Sequence, residues 1–275
     1  MPYIKTRDHV DLYVKDWDGG GRPVILLHGW PLNADSWDDQ ALALANAGHR
    51  VIAYDRRGFG RSGQPWDGYD YDTLADDLAQ VLEQTGARDA TLVGFSMGGG
   101  EVARYLSRHD GRGVVKAGLI SSVVPYLLKD ETNENGVDAS VFEEQMKAPI
   151  LKDRAHFFAG FAQQFYGVGF ITSPVSQEAL DQFWLLAMQA GLKGTLACID
   201  SFGKTDFRPD LQAFRVPTLI VHGTGDKTVP IEPSARAAAR GIAQSRLIEY
   251  DGAPHGLNIT DKDRLTADLL DLARG

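Results

Sequence analysis

The sequence predicts an α/β protein: a mostly parallel, twisted sheet with helices on both faces and one inserted helical cap. Three observations predict it. Short apolar runs such as "PVILLHG", starting at Pro23, and "TLIVHG", starting at Thr218, have the length and composition of strands buried on both faces. Helical patterns of about a dozen residues lie between such runs, and that alternation sets successive strands parallel. The alternation then stops between Pro125 and Asp210, where strand signals vanish and nine of the twelve phenylalanines fall.

In chain order, residues 3–16 read as a β-hairpin with Asp8 at or near its turn. The strand in "PVILLHG" follows, then a helix over roughly Ser36–Ala47 and a strand in "HRVIAYDRRGFG". Residues Tyr71–Thr85 place Leu74, Leu78, Val81 and Leu82 on one helical face. A strand in "DATLVGFS", a helix over Met97–Arg108 and a strand in "VVKAGLISSV" come next. After Val124 the segment turns helical and aromatic. Strands resume at "VPTLIVHGTGD", with a helix from about Glu232, the strand "SRLIEYDG" and a closing helix from Asp261. Residues 1–125 and 211–275 therefore form the expected core, and 126–210 the expected cap. That insertion point faces the C-terminal ends of the strands, where open α/β sheets bind ligands.

Composition narrows the classes. A chain of 275 residues, 43% apolar and 24% charged, fits one domain with an insertion. Its net charge of -9 and its lack of any basic block argue against nucleic-acid and anionic-membrane partners. A single cysteine, Cys198, rules out an intramolecular disulfide and a cysteine-based metal site. With no H-E-x-x-H and no clustered cysteines, neither metal nor cofactor is expected. The start "MPYIKTRDHVDLYV" lacks an apolar signal region, and no apolar run reaches the ~18 residues of a membrane span. A soluble, cytoplasmic protein is the expectation, with self-association into a homo-oligomer left open.

Chemistry concentrates in "TLVGFSMGGGEVARYL", Thr91–Leu106. Gly94-Phe95-Ser96-Met97-Gly98 matches G-x-S-x-G between an apolar strand and a helix, the setting of a serine nucleophile on a sharp turn. Side chains two residues either side would collide there, which calls for glycine. Gly99 and Gly100 are expected to extend that clearance into the helix, at ~1 kcal/mol each against alanine. The partners of such a serine follow as acid, then histidine. Beyond the cap the histidines are His222 and His255. His222 ends an apolar strand, so a structural role is expected for it. His255, in the loop "DGAPHGLN", is free to reach the sheet edge and act as base. Asp226 in "VHGTGDKTVP" follows the penultimate strand and is the expected acid, whereas Asp200, Asp206 and Asp210 precede that strand. Oxyanion donors are expected from the backbone N–H groups of Met97, at a helix N-terminus, and Trp30. His28 and Gly29 are read as shaping the turn before Trp30.

At this point the chain resembles the α/β-hydrolase fold along its whole length, and within it the bacterial cofactor-free haloperoxidases and aryl esterases. The stretches that carry the resemblance include "HGWPLNADSW", "YDRRGFGRS", "VGFSMGGGEVARYLSRH", "VPTLIVHGTGD" and "GAPHG". The resemblance implies a Ser96–Asp226–His255 triad without metal or haem, acting on small, often aromatic, carboxylic esters. It implies a capped pocket, for which Val123, Phe161, Phe165, Val229 and Ile231 are the expected walls. Pro31, directly after Trp30, occupies a position that the family associates with perhydrolysis: hydrogen peroxide replaces water in attacking the acyl-enzyme, and the peracid then oxidises halide in solution. The segment from about Lys129 to Glu144 carries the weakest resemblance, so acyl and alcohol preference stay open.

Ser96 argues against dehalogenases and epoxide hydrolases of the same core, which use aspartate. Lactonases, lactamases and carbon–carbon bond hydrolases keep serine and remain alternatives. A non-catalytic receptor that merely binds a ligand under the cap is the remote one.

Overall fold

The apolar runs assemble into one sheet. The computed structural model describes residues 2–169, 171 and 173–274. Its strands are β1 (Tyr3–Lys5), β2 (Asp11–Asp16), β3 (Pro23–Leu27), β4 (Arg50–Tyr54), β5 (Ala90–Phe95), β6 (Val114–Ile120), β7 (Thr218–Gly223) and β8 (Ser245–Tyr250). They lie in the order β1-β2-β4-β3-β5-β6-β7-β8. From β4 to β8 every neighbouring pair is parallel, and only β2 runs antiparallel to its neighbours β1 and β4. Every residue of β3, β5 and β7 is buried, which is why these runs carry no polar alternation. Asp8 does lie at the β1–β2 turn, where its carboxylate takes two bonds from the Arg57 guanidinium at 2.7 and 3.0 Å.

Right-handed crossovers decide which face each helix covers. The chain steps from β3 to β4 through α1 (Asp38–Asn46), then reverses direction through α2 (Tyr71–Thr85) and α3 (Met97–Arg108). So α1 covers one face, while α2 and α3 cover the other. Helix α2 buries Leu74, Leu78, Val81 and Leu82, as its period requires. It starts at Asp70, whose carboxylate accepts the Thr73 N–H at 3.0 Å, and stops at Gly86 with φ 66°.

Between β6 and β7 the chain leaves the sheet. A π-helical turn, Val141–Lys147, leads into α4 (Ala148–Phe165), α5 (Gln177–Met188) and α6 (Leu192–Lys204). Helix α4 is broken at Asp153, with φ -160° and ψ 89°. The stretch before these helices is not helical. It holds two isolated bridges, Leu128–Val137 and Asp130–Asn133. Side chains build it: the Asp130 carboxylate accepts the Thr132 N–H, and the Asn133 amide reaches the carbonyls of Tyr126 and Leu128. Hydrophobic period cannot report such a loop. Phe207 N–H donates to the Pro125 carbonyl at 2.8 Å, so the segment leaves and rejoins the sheet at one place. After β7 come α7 (Ala237–Gly241), β8, the short α8 (Leu257–Thr260) and α9 (Lys262–Arg274), which packs on α1.

One polar cluster lies inside the core, beneath α3. The Arg56 Nε donates to Glu101 at 2.5 Å, and the Tyr54 hydroxyl donates to the other carboxylate oxygen at 2.7 Å. Arg56 and Glu101 are each at most 1% exposed. Truncating one partner strands the other charge, at a cost of ~3–5 kcal/mol, whereas replacing both with apolar groups is far milder. Glu101→Leu should therefore lower unfolding free energy by several kcal/mol in a urea titration, and Arg56→Met in the same chain should restore part of it.

Candidate active site

Strand β5 ends at Phe95 and α3 begins at Met97, which leaves Ser96 alone to make the turn. It does so with φ 52° and ψ -117°, a backbone state that costs a non-glycine residue ~1–3 kcal/mol. Hydrogen bonds over-determine it. Ser96 N–H donates to the Ile120 carbonyl at 2.8 Å, and the Ser96 carbonyl accepts from Gly99 N–H at 3.0 Å. A Cβ on Gly94 would run into the Gly98 carbonyl, and one on Gly98 would lie 2.5 Å from the Leu27 carbonyl oxygen. Both glycines let α3 close onto the strands. Gly99 and Gly100 differ from the expected extension of the turn. Their α-carbons face Ser122 and the rings of Tyr71 and Phe207, so they admit neighbouring elements rather than clear space around the serine.

The two loops beyond the sheet edge then meet. Gly225 N–H donates to the Ala253 carbonyl at 3.1 Å, and Thr224 N–H to the Tyr250 carbonyl at 2.9 Å. A side chain at Gly225 would lie 2.6 Å from the Gly252 oxygen, while Gly252 itself turns with φ 68°. This contact brings His255 Nε2 to 2.9 Å from Ser96 Oγ and His255 Nδ1 to 2.7 Å from Asp226 Oδ2. Asp226 Oδ1 accepts the N–H groups of Thr228 and Val229, each at 2.8 Å. Burial favours the neutral acid, but the imidazoles of His255 and His222 outweigh it and hold the Asp226 carboxyl well below the ordinary range. The His255 ring is clamped between Phe95 at 5.2 Å and Phe165 at 4.8 Å, centroid to centroid. Asp200, Asp206 and Asp210 bond instead to Lys147, Arg208 and Arg104 respectively.

On the other side of Ser96 lies the loop after β3. His28 Nε2 accepts the Arg56 N–H at 2.9 Å, so its proton sits on Nδ1 and points to the Gly29 carbonyl, also at 2.9 Å. Both nitrogens are engaged within the loop. Arg56 also donates to the His28 carbonyl at 2.6 Å, and it is bonded to Glu101 on α3. One guanidinium thus ties the loop bearing Trp30 to the helix bearing Met97. Met97 opens α3, where a backbone N–H has no intrahelical acceptor. The Trp30 indole packs on Phe158, Phe161 and Phe202 and donates to the Thr195 carbonyl at 3.1 Å. Pro31 is buried and joined to Trp30 by a cis peptide bond.

Ser96, His255 and Trp30 open onto a cavity of about 40 Å³. Of the five residues proposed as walls, Val123, Phe161 and Val229 line it. Phe165 and Ile231 do not: Phe165 is spent on the back of the imidazole, and Ile231 is buried in the core at the start of the turn that follows Val229. The apolar walls that sequence reasoning missed are Leu127, Val137, Val141, Phe142, Met146 and Phe202. Five of these six come from residues 127–146, which contain the stretch of weakest resemblance, and their only signal is being apolar.

No cluster of three metal-binding side chains occurs among the described residues, and no helix is long and apolar enough to cross a membrane. Gly58, Gly60 and Gly63 happen to have the spacing of a dinucleotide fingerprint. The next helix in the chain starts only at Tyr71, so the loop does not open directly into a helix as that fingerprint does.

Burial, then the Arg56 guanidinium, pushes the His28 pKa well below the ordinary imidazole value. The unfolded chain takes up a proton near pH 6.5 that the folded protein refuses, so stability is complete above that pH and declines below it. The urea midpoint should fall between about pH 7.5 and 5.5, with His28 contributing a slope approaching ~1.4 kcal/mol per pH unit. His28→Gln, which keeps an acceptor for Arg56 N–H, should flatten that slope.

Residues 22–262 match the family described as the alpha/beta hydrolase fold. The chain is 44% identical to a non-heme chloroperoxidase of Kitasatospora aureofaciens, over 98% of each protein. It is 42% identical to a bifunctional esterase/perhydrolase of Acinetobacter calcoaceticus, over the full length of both. Among solved structures, a bromoperoxidase from Bacillus anthracis superposes with a TM-score of 0.94 at 44% identity, covering 99% of this chain and 100% of that one. A sheet of this order, a serine on the β5–α3 turn and full-length similarity agree: the chain belongs to the α/β-hydrolase family, in its non-haem haloperoxidase group.

Proposed function

We propose that this protein hydrolyses small carboxylic esters through a Ser96 acyl-enzyme, and that hydrogen peroxide competes with water for that intermediate. One observation carries the reading: Ser96 Oγ, His255 and Asp226 form an unbroken hydrogen-bonded line that ends at the cavity beside Trp30. Ser96 Oγ attacks the ester carbonyl as His255 Nε2 takes its proton, and the imidazolium then protonates the leaving alcohol. Asp226 keeps the other ring proton on Nδ1 and stabilises the imidazolium. The backbone N–H groups of Met97 and Trp30 receive the oxyanion. Water, deprotonated by His255, releases the carboxylic acid. Peroxide entering the same way releases a peracid and regenerates the serine, and the peracid passes an oxygen to halide, leaving carboxylic acid and hypohalite.

The cap reading of residues 126–210 follows from the cavity walls they supply. A space of about 40 Å³ holds only a few atoms, which suits acetyl-sized acyl groups. The similar proteins named esterase/perhydrolase and chloroperoxidase support both halves of the proposal. Its substrates are a small ester and hydrogen peroxide, met in the cytoplasm.

An aryl acetate panel with and without peroxide and bromide tests this reading. Ser96→Ala should lose about 10³-fold or more in kcat while unfolding at the parent urea midpoint, and the activity of His255→Ala should fall almost as low. Asp226→Asn should lower kcat with little change in KM. Retained turnover in Ser96→Ala means another nucleophile.

Pro31 removes an N–H and constrains Trp30, whose carbonyl is proposed to accept a hydrogen bond from bound peroxide. One such bond is worth ~0.5–1.5 kcal/mol, up to about tenfold in rate. Pro31→Leu should therefore cut the peracid-to-hydrolysis ratio by about tenfold while preserving aryl-ester hydrolysis. A proportional loss of both activities makes Pro31 a scaffold residue.

A further inference from the structure

Asp226 carries a donor that a serine–histidine–acid line does not require. His222, at the end of β7, is fully buried. Its Nε2 lies 2.9 Å from the Val229 carbonyl and 3.3 Å from Asp226 Oδ2. A carbonyl oxygen only accepts, so Nε2 carries the proton and donates it to Val229, with Asp226 Oδ2 a second, longer contact of the same N–H. The Asp226 carboxylate is thereby surrounded by four donors. Thr228 and Val229 N–H groups hold Oδ1, while His255 Nδ1–H and His222 Nε2–H converge on Oδ2. His222 touches the very oxygen that orients the proposed base, from the side opposite to it in sequence.

The geometry points to His222 as a positioning residue for the reaction, one that holds Asp226 Oδ2 toward His255 and tempers its charge. This rests on the Ser96–His255–Asp226 reading above. The second N–H does two things. It blocks rotation of the carboxylate about its Cβ–Cγ bond, which would turn Oδ2 away from Nδ1. It also draws on the negative charge that Asp226 offers to the His255 imidazolium. The charged groups facing His222 are Asp226 and, beyond it, His255. Across the sheet, Glu249 is its register partner on β8, and Arg236 holds Glu249 in an ion pair at 2.6 Å.

The test is the pH dependence of aryl acetate hydrolysis for His222→Met, which fills the space without a donor, and His222→Gln, whose amide N–H reaches the Nε2 position. The Met variant should show kcat reduced about tenfold with KM within about twofold. Its acid limb in kcat/KM should move up by about half a pH unit, because Asp226 then binds the imidazolium more tightly. The Gln variant should return both toward the parent. A Met variant whose acid limb stays in place overturns the inference, whatever its stability, and makes His222 a packing residue. Should the Met variant not fold, Gln against Asn gives the same contrast, since Asn places its amide only at the Nδ1 position: equal limbs overturn the inference. Ser96→Ala run alongside separates the two readings. If it stays active, the triad itself falls; if it is dead while the His222 variants keep the parent limb, only the role of His222 falls.

Discussion

The site depends on how closely α3 can approach the sheet. A helix that follows a strand through a single residue must turn back within one peptide, and its first turn then lies against the strand ends it just left. Gly94 and Gly98 make that approach sterically possible, where any side chain would strike a backbone carbonyl. Ser96 absorbs the geometric cost in its own backbone, with φ 52°. The reward is positional: Oγ stands clear of the backbone, and the Met97 N–H sits at a helix start with no intrahelical acceptor. Move α3 outward by the width of a methyl group and both would be lost together.

That approach also brings charge into the core. Arg56 and Glu101 lie beneath α3 as a fully buried pair, and the same guanidinium holds the His28 carbonyl and faces its ring. Such a pair adds little net stability over an apolar substitute. Its value here is registration, because it links the Trp30 loop to the nucleophile helix across the sheet. The two N–H groups proposed for the oxyanion come from segments far apart in sequence, and Arg56 bonds to both segments. His28 takes part as a neutral imidazole locked in one tautomer, which removes it as a proton acceptor for Ser96.

Around Asp226 the same economy applies to hydrogen bonds. A fully buried carboxylate is stable only when its lone pairs are met, and the tight turn from Asp226 to Val229 meets two of them with backbone N–H groups. The remaining oxygen faces two imidazoles. Helix α4 is tied to the site at the same place: Gly256, next to His255, donates its N–H to the Phe165 carbonyl at 2.8 Å, while the Phe165 ring backs the imidazole. A change in α4 is thus felt at His255 without touching the sheet.

Sequence alone determined what local pattern controls. Buried parallel strands read as apolar runs, α2 reads as an amphipathic period, and the turn at Ser96 announces itself because Gly94 and Gly98 have a steric reason of their own. Asp226 and His255 were legible because each follows a strand whose end must lie at one edge of the sheet. Tertiary structure alone decided what depends on contact between distant segments. It turned Phe165 toward the imidazole instead of the cavity, gave Gly99 and Gly100 to neighbouring side chains, and set His222 against Asp226. It also raised the non-helical stretch around Asp130 into a cavity wall. The physical reason is the same in each case: an apolar or polar side chain states in sequence only that it needs a partner, and which partner it finds is fixed when the elements pack.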